Sequence, residues 1–176
     1  RLRDKFLNVP LEAVLHPASD FAQQAAKGQQ VAAAAAPPVT DSALTAEVWF
    51  ERGFNTADLD EQIRCYTEAL RLRPDYAKAY YYRGNALVAK GNFDGAIADY
   101  TMTLRLRPDF VEAYCNRGNA RSQKGDYDGA IADYTEAIRL MPDDAEAYSH
   151  RGLAFQAKED ITAAQRDFDK AKCLRA

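Results

Sequence analysis

Two histidines, three cysteines and several paired carboxylates are the residues of this chain that could carry chemistry. Nucleophilic catalysis needs a base within hydrogen-bond reach of a hydroxyl or thiol, and the histidines to choose from are His16 and His150. His150 directly follows Ser149, and adjacent residues of a helix point in different directions, so the two form no nucleophile–base pair. A metal site needs clustered ligands, whereas Cys65, Cys115 and Cys173 are far apart and at non-equivalent positions. An odd number of widely spaced cysteines argues for reduced thiols and against a disulfide framework. Asp94 with Asp99, and Asp126 with Asp128, read as helix caps and solvated faces rather than acid–base pairs. No GxxxxGK or GxGxxG loop is present to cradle a phosphate. The expectation is a chain that is no enzyme, with no catalytic, cofactor-binding or metal-binding residues and no cofactor.

The elements that would position any other site come from a repeat. The sequence reads "YYYRGNA" at 80–86, "YCNRGNA" at 114–120 and "YSHRGLA" at 148–154, a fixed interval of 34 residues. Aligned on this motif, units 77–110, 111–144 and 145–176 agree at Tyr, Gly, Ala, aromatic and Ala positions, and Pro108 matches Pro142. Each unit reads as two helices. Tyr80, Arg83, Gly84 and Leu87 share one helical face, and Ala96, Tyr100, Thr103 and Leu104 form the inner side of the second helix. Between them Gly91 supplies a left-handed residue and Asn92 an N-cap, a device repeated at Gly125 and Asp126. Pro108 then ends the second helix, and Asp109 is expected to cap the next one. Glycine inside a helix costs about 1 kcal/mol relative to alanine. Its use at Gly84, Gly118 and Gly152 implies a close approach there, expected to be another helix backbone, with Ala96, Ala130 and Ala164 as small partners.

These residues resemble the tetratricopeptide repeat (TPR) family, a 34-residue helix–turn–helix repeat with small residues at the helix contacts and Pro at the end. The resemblance implies an all-α fold, a right-handed TPR solenoid of antiparallel helix hairpins. Three regular repeats cover 77–176, and a degenerate one covers 46–76. In the latter Trp49, Arg52 and Gly53 match the opening motif, and Ile63, Tyr66, Ala69, Leu70, Leu72 and Pro74 match the second helix. Three residues are missing between Gly53 and Leu59, and Gln62 replaces the small residue, so a shortened first helix is expected. Outer positions that are apolar earlier (Ile63 and Leu70, Ile97 and Leu104, Ile131 and Ile138) become Gln165 and Lys172 in the final unit. Terminal repeats need a wet outer face, so the array is expected to end there.

The array would occupy 43–176, preceded by an Ala/Pro linker at 31–42 and a segment at 1–30. That segment holds Phe6, Leu7, Val9, Leu11, Val14, Leu15 and Phe21, and reads either as a docking element or as the remnant of an upstream domain. The chain begins with Arg1, which points to a piece of something longer. Composition is that of a globular protein, with 47 % hydrophobic and 28 % charged residues. A net charge of −3 offers little to nucleic acid, no stretch is apolar enough for a membrane span, and a cytoplasmic setting is the default.

The family resemblance further implies that first helices line a concave surface. By their positions in each unit the lining would be Lys78, Tyr81, Tyr82, Asn85, Val88 and Ala89, then Glu112, Cys115, Asn116, Asn119, Ser122 and Gln123. The last unit would add Glu146, Ser149, His150, Leu153, Gln156 and Ala157. The candidate peptide-binding groove consists of Lys78, Tyr81, Tyr82, Asn85, Glu112, Cys115, Asn116, Asn119, Gln123, Ser149 and His150. Asparagines there could bond a peptide backbone whatever its side chains. Asn85, Asn116 and Asn119 are in this respect similar to the asparagine ladder in the far longer TPR superhelix of O-linked N-acetylglucosamine transferase. The carboxylate clamp that grips chaperone C-terminal tails needs cations, and only Lys78 and Arg121 are at hand, with Glu146 and His150 in the third unit's places. Chaperone tails are therefore disfavoured, while Glu112 and Glu146 suit a basic or neutral ligand. Cys115 reads either as a small tolerated residue or as a thiol open to reagents.

The function expected is a protein–protein interaction module that binds a peptide or protein segment of unknown identity as the arm of a larger protein. The alternatives are a structural scaffold that self-associates through residues 1–22, or the regulatory arm of an enzyme whose catalytic domain lies upstream.

Overall fold

The structure, a computed structural model, describes residues 45–175. The segment 1–30, the linker 31–42 and His16 lie outside those residues.

Local sequence rules account for the helix ends. The described residues form α1 (Ala46–Asn55), α2 (Leu59–Leu72), α3 (Ala77–Ala89), α4 (Phe93–Leu106), α5 (Val111–Gln123), α6 (Tyr127–Leu140), α7 (Ala145–Ala157) and α8 (Ile161–Arg175). Successive helices pack as antiparallel hairpins, α1 on α2, α3 on α4, α5 on α6 and α7 on α8, and each hairpin stacks on the next. Gly91 and Gly125 take φ of +75° and +80°, which turn the chain between the helices of a hairpin. Asn92 N–H then reaches back to Leu87 O (2.8 Å), and Asp126 N–H to Arg121 O (2.9 Å). The last hairpin makes the same turn without glycine: Glu159 holds φ +63°, and Asp160 N–H bonds Phe155 O at 3.0 Å. Asn92 and Asp126 accept from Gly95 N–H and Gly129 N–H, each at 3.0 Å, as N-caps do.

Asp109 does not cap α5. The cap position is Phe110, with no side-chain bond to the helix, and Tyr76 stands likewise before α3. A proline turn two residues earlier places the aromatic there, and its ring packs instead: Phe110 lies 4.8 Å from the Tyr81 ring. Only before α7 does an aspartate occupy that place, where Asp144 accepts from Glu146 N–H (2.9 Å) and Ala147 N–H (3.1 Å).

The motif glycines make room for a ring rather than for a backbone. A Cβ at Gly84 would sit 2.8 Å from the Tyr100 ring, at Gly118 2.7 Å from Tyr134, and at Gly152 2.7 Å from Phe168. Those tyrosines are almost wholly buried among alanines, Ala96 and Ala120 around Tyr100, and Ala130 and Ala154 around Tyr134. A buried aromatic removes about 150–250 Å² from water, roughly 4–6 kcal/mol at about 25 cal/mol/Å² before ordering entropy. That gain outweighs the glycine's cost of about 1 kcal/mol.

The first hairpin is the distorted one. α1 has 10 residues where α3, α5 and α7 have 13. Gln62, in place of the small residue, donates from Nε2 to Thr56 O (2.7 Å) and closes the shortened connection. Of the outer positions, Ile63, Leu70, Ile97, Leu104, Ile131 and Ile138 are buried or half-buried, whereas Gln165 and Lys172 are exposed.

Candidate functional site

The helix ends just described bring the residues that follow the motif glycines, Phe54, Asn85, Asn119 and Leu153, to equivalent places in four successive hairpins. Phe54 and Leu153 are both 54 % exposed, and the two asparagines stand between them in chain order. The second helix of each regular hairpin fixes its asparagine. Tyr100 OH donates to Asn85 Oδ1 and Tyr134 OH to Asn119 Oδ1, both at 2.7 Å. Burial pushes the Tyr134 phenol up to about 12 and the Tyr100 phenol up as well, so each stays a protonated donor.

The neighbouring unit adds a second tie. Asn116 Nδ2 donates to Tyr81 OH (3.1 Å) and to Asn85 Oδ1 (3.0 Å), crossing from one hairpin to the one before it. Asn85 and Asn116 thus bond each other, which draws them out of the expected ladder. Asn119 makes no such bond to a neighbouring hairpin. Among the described residues nothing accepts from its Nδ2, which is also true of Asn85, but of the three asparagines it alone lines each of three cavities.

The largest of these cavities, ≈ 610 Å³, is lined by Val88, Phe93, Ala120, Ser122, Gln123, Tyr134, His150 and Leu153 besides Asn119. The next, ≈ 350 Å³, shares Asn119 and His150 and adds Tyr81, Cys115, Met141 and three carboxylates, Glu112, Asp144 and Glu146. The third, ≈ 220 Å³, lies by Asn85 and Asn116. The His150 ring rests on Tyr134, centroids 5.8 Å apart.

Tyr81, Asn85, Glu112, Cys115, Asn116, Asn119, Gln123 and His150 therefore come together around these cavities. Three expected groove residues do not line them. Lys78 is exposed elsewhere on α3. Tyr82 is drawn into the aromatic cluster of the first hairpin, 5.4 Å from Phe54, 5.5 Å from Phe50 and 6.1 Å from Tyr66, because the shortened α1 leaves those rings facing it. Ser149 Oγ donates to Ala145 O (2.9 Å) and accepts from Arg175 (3.0 Å), so it serves α8 and not His150. Arg121, a candidate clamp cation, turns to Asp133 (2.9 Å) and Gly129 O (3.1 Å). Phe93, Tyr134, Val111, Met141 and Asp144 were not foreseen in the lining. Phe93 and Tyr134 come from second helices, Met141 and Asp144 from a connection and Val111 from the start of α5, and only the 15-residue spacing of Asn85 to Tyr100 and Asn119 to Tyr134 announces any of them.

The Cys115 thiol is half-buried at the wall of the ≈ 350 Å³ cavity. Burial, then the Asp144, Glu112 and Glu146 carboxylates, push it up to about 12. Among the described residues no three His, Cys, Asp or Glu side chains are grouped to hold a metal ion, and no helix is long and apolar enough to cross a membrane.

The model of the TPR repeat family matches residues 58–91, 84–125 and 118–158. No curated protein sequence matches the chain significantly. Among solved structures, a crystal structure of MamA superposes with a TM-score of 0.72 at 22 % identity, covering 91 % of this chain and 96 % of that one. The first TPR of Spaghetti (RPAP3), bound to the HSP90 peptide SRMEEVD, gives 0.62 at 28 % identity over 65 % of this chain and 93 % of its own. The Arabidopsis OM64 TPR domain gives 0.60 at 28 % identity over 63 % and 94 %.

Proposed function

The chain belongs to the TPR repeat family, whose domains are protein–protein interaction modules, and from that premise we propose that it binds a peptide or protein segment along the cavities centred on Asn119. The observation that carries this reading is the state of Asn119. Its oxygen is fixed by Tyr134 at 2.7 Å, and its amide donor is left for a partner outside the described residues. A donor pre-oriented in this way meets a peptide carbonyl at little cost in side-chain ordering.

The ligand is not an acidic chaperone tail of the kind seen on the similar Spaghetti domain. Glu112, Asp144 and Glu146 line the cavity where carboxylates of such a tail would need cations, and Arg121 is committed to Asp133.

The test is peptide capture from a proteolytic digest by the full chain, read by mass spectrometry. Leu153→Arg, at an exposed position on the largest cavity, should abolish capture while leaving the circular dichroism unchanged. Asn119→Ala should weaken it and lower the melting temperature slightly, since Tyr134 loses its acceptor. Equal capture by wild type and Leu153→Arg would remove the groove as the binding site.

A further inference from the structure

The two larger cavities meet at Asn119 and His150 but differ in chemical character, and the difference specifies an occupant. Resting on the peptide-binding reading above, we infer that the partner segment carries a lysine or arginine beside a large apolar residue. The basic side chain occupies the ≈ 350 Å³ cavity and the apolar one the ≈ 610 Å³ cavity.

Charge and shape together support the basic half. The smaller cavity has no lysine or arginine among its lining residues, while Glu112, Asp144 and Glu146 all line it. Asp144 is spent on capping α7, where it accepts from two backbone N–H groups. The N-termini of α5 and α7 offset about one charge between them, so the cavity stays net negative through Glu112 and Glu146. Neither glutamate has an ion-pair partner among the described residues. The field also shows at Cys115, whose thiol the same three carboxylates help to hold protonated. Tyr81 and Met141 add apolar walls, which a bare metal ion would not use but which suit the stem of a long cationic side chain.

The apolar half rests on Val88, Phe93, Ala120 and Leu153, the last 54 % exposed. Asn119 lies between the two halves, with its free amide donor placed for a backbone carbonyl of the segment. Acidic peptides and phosphate backbones are repelled by the same carboxylates that select a cation.

The experiment pans a random dodecapeptide phage library against the 176-residue wild type, Leu153→Arg and the double variant Glu112→Lys/Glu146→Lys. Both glutamates are exposed but stand in the first turns of α5 and α7, so the double variant should keep the wild-type circular dichroism and melt somewhat lower. Wild type should enrich Lys or Arg next to a large apolar residue about tenfold over the unselected library, the ratio expected of one well-placed charge contact. The double charge reversal should move the enriched residue to Asp or Glu. Peptides that depend on Leu153 but show no basic preference would overturn this inference and leave the groove reading standing. If no peptide depends on Leu153, both fall, and sedimentation of the wild type as an oligomer would then assign the groove to a second copy of the chain.

Discussion

Arg117 grips Asp133 with two nitrogens, Nη2 to Oδ1 at 2.6 Å and Nε to Oδ2 at 3.0 Å, while its Nη1 bonds Thr101 Oγ1 of the preceding hairpin at 3.0 Å. The same three-way contact joins Arg83 to Asp99 and Thr67, and Arg151 to Asp167 and Thr135. The motif arginine therefore closes its own hairpin and ties it to the one before. The first hairpin lacks this arrangement, because Cys65 stands where the others have aspartate and Arg52 pairs with Glu61 at 3.2 Å instead.

Removing one partner of this pair should be costly. The Asp133 side chain is only 3 % exposed and also holds Arg121. Asp133→Ala leaves two guanidinium groups half-buried without it and should cost about 3–5 kcal/mol. The double change Arg117→Met with Asp133→Leu should recover most of that. Urea denaturation followed by circular dichroism measures both, and equal losses in the two variants would contradict the pairing as the cause.

Helix propensity and packing predict opposite signs at Gly118. Propensity alone gives Gly118→Ala a gain of about 1 kcal/mol. The added Cβ would lie 2.7 Å from the Tyr134 ring, which is locked by Ala130 and Ala154. Overpacking of this kind costs about 1–3 kcal/mol, so the variant should melt lower than wild type.

Glu159 is the one described non-glycine residue with positive φ, at +63°. A side chain in the left-handed region costs about 1–2 kcal/mol. Glu159→Gly should relieve about 1 kcal/mol of this and raise the melting temperature, matching the turns at Gly91 and Gly125. An unchanged or lower melting temperature would show the strain to be absent.

The three thiols should label in a fixed order. Cys173 is exposed, Cys65 is buried with its thiol pushed up to about 11, and Cys115 is pushed up to about 12. Iodoacetamide at pH 8 should modify Cys173 first, Cys115 more slowly through its cavity, and Cys65 only as the fold opens. Peptide mapping of a time course reads this directly, and early modification of Cys115 would contradict the assigned environment.

Glu61 gives the first hairpin an acid-sensitive contact. Its hydrogen bond to Arg64 is the main cause holding the carboxyl down at about 2, below the ordinary 4.5. A depressed folded value means the contribution is complete above about 4.5 and is lost as pH falls toward 2. Wild type and Glu61→Gln should therefore differ in melting temperature at neutral pH and converge near pH 2. A constant gap between them would exclude the ion pair.

Much of this protein follows from periodicity alone. The 34-residue interval fixes which residues share a helix face, and Gly91–Asn92, Gly125–Asp126 and Pro108 fix where helices turn and stop, since these are local backbone constraints. The shortened α1 was legible in the three missing residues. What remained hidden depends on contacts between helices. That Gly118 admits the Tyr134 ring, that Asn85 and Asn116 bond each other, and that Arg121 turns to Asp133 are set by how closely and at what angle one helix lies on another. Side-chain spacing gives the face a residue occupies. Only the stacked hairpins decide which partner it finds there, and so that Asn116 spends its amide donor on the preceding hairpin while Asn119 does not.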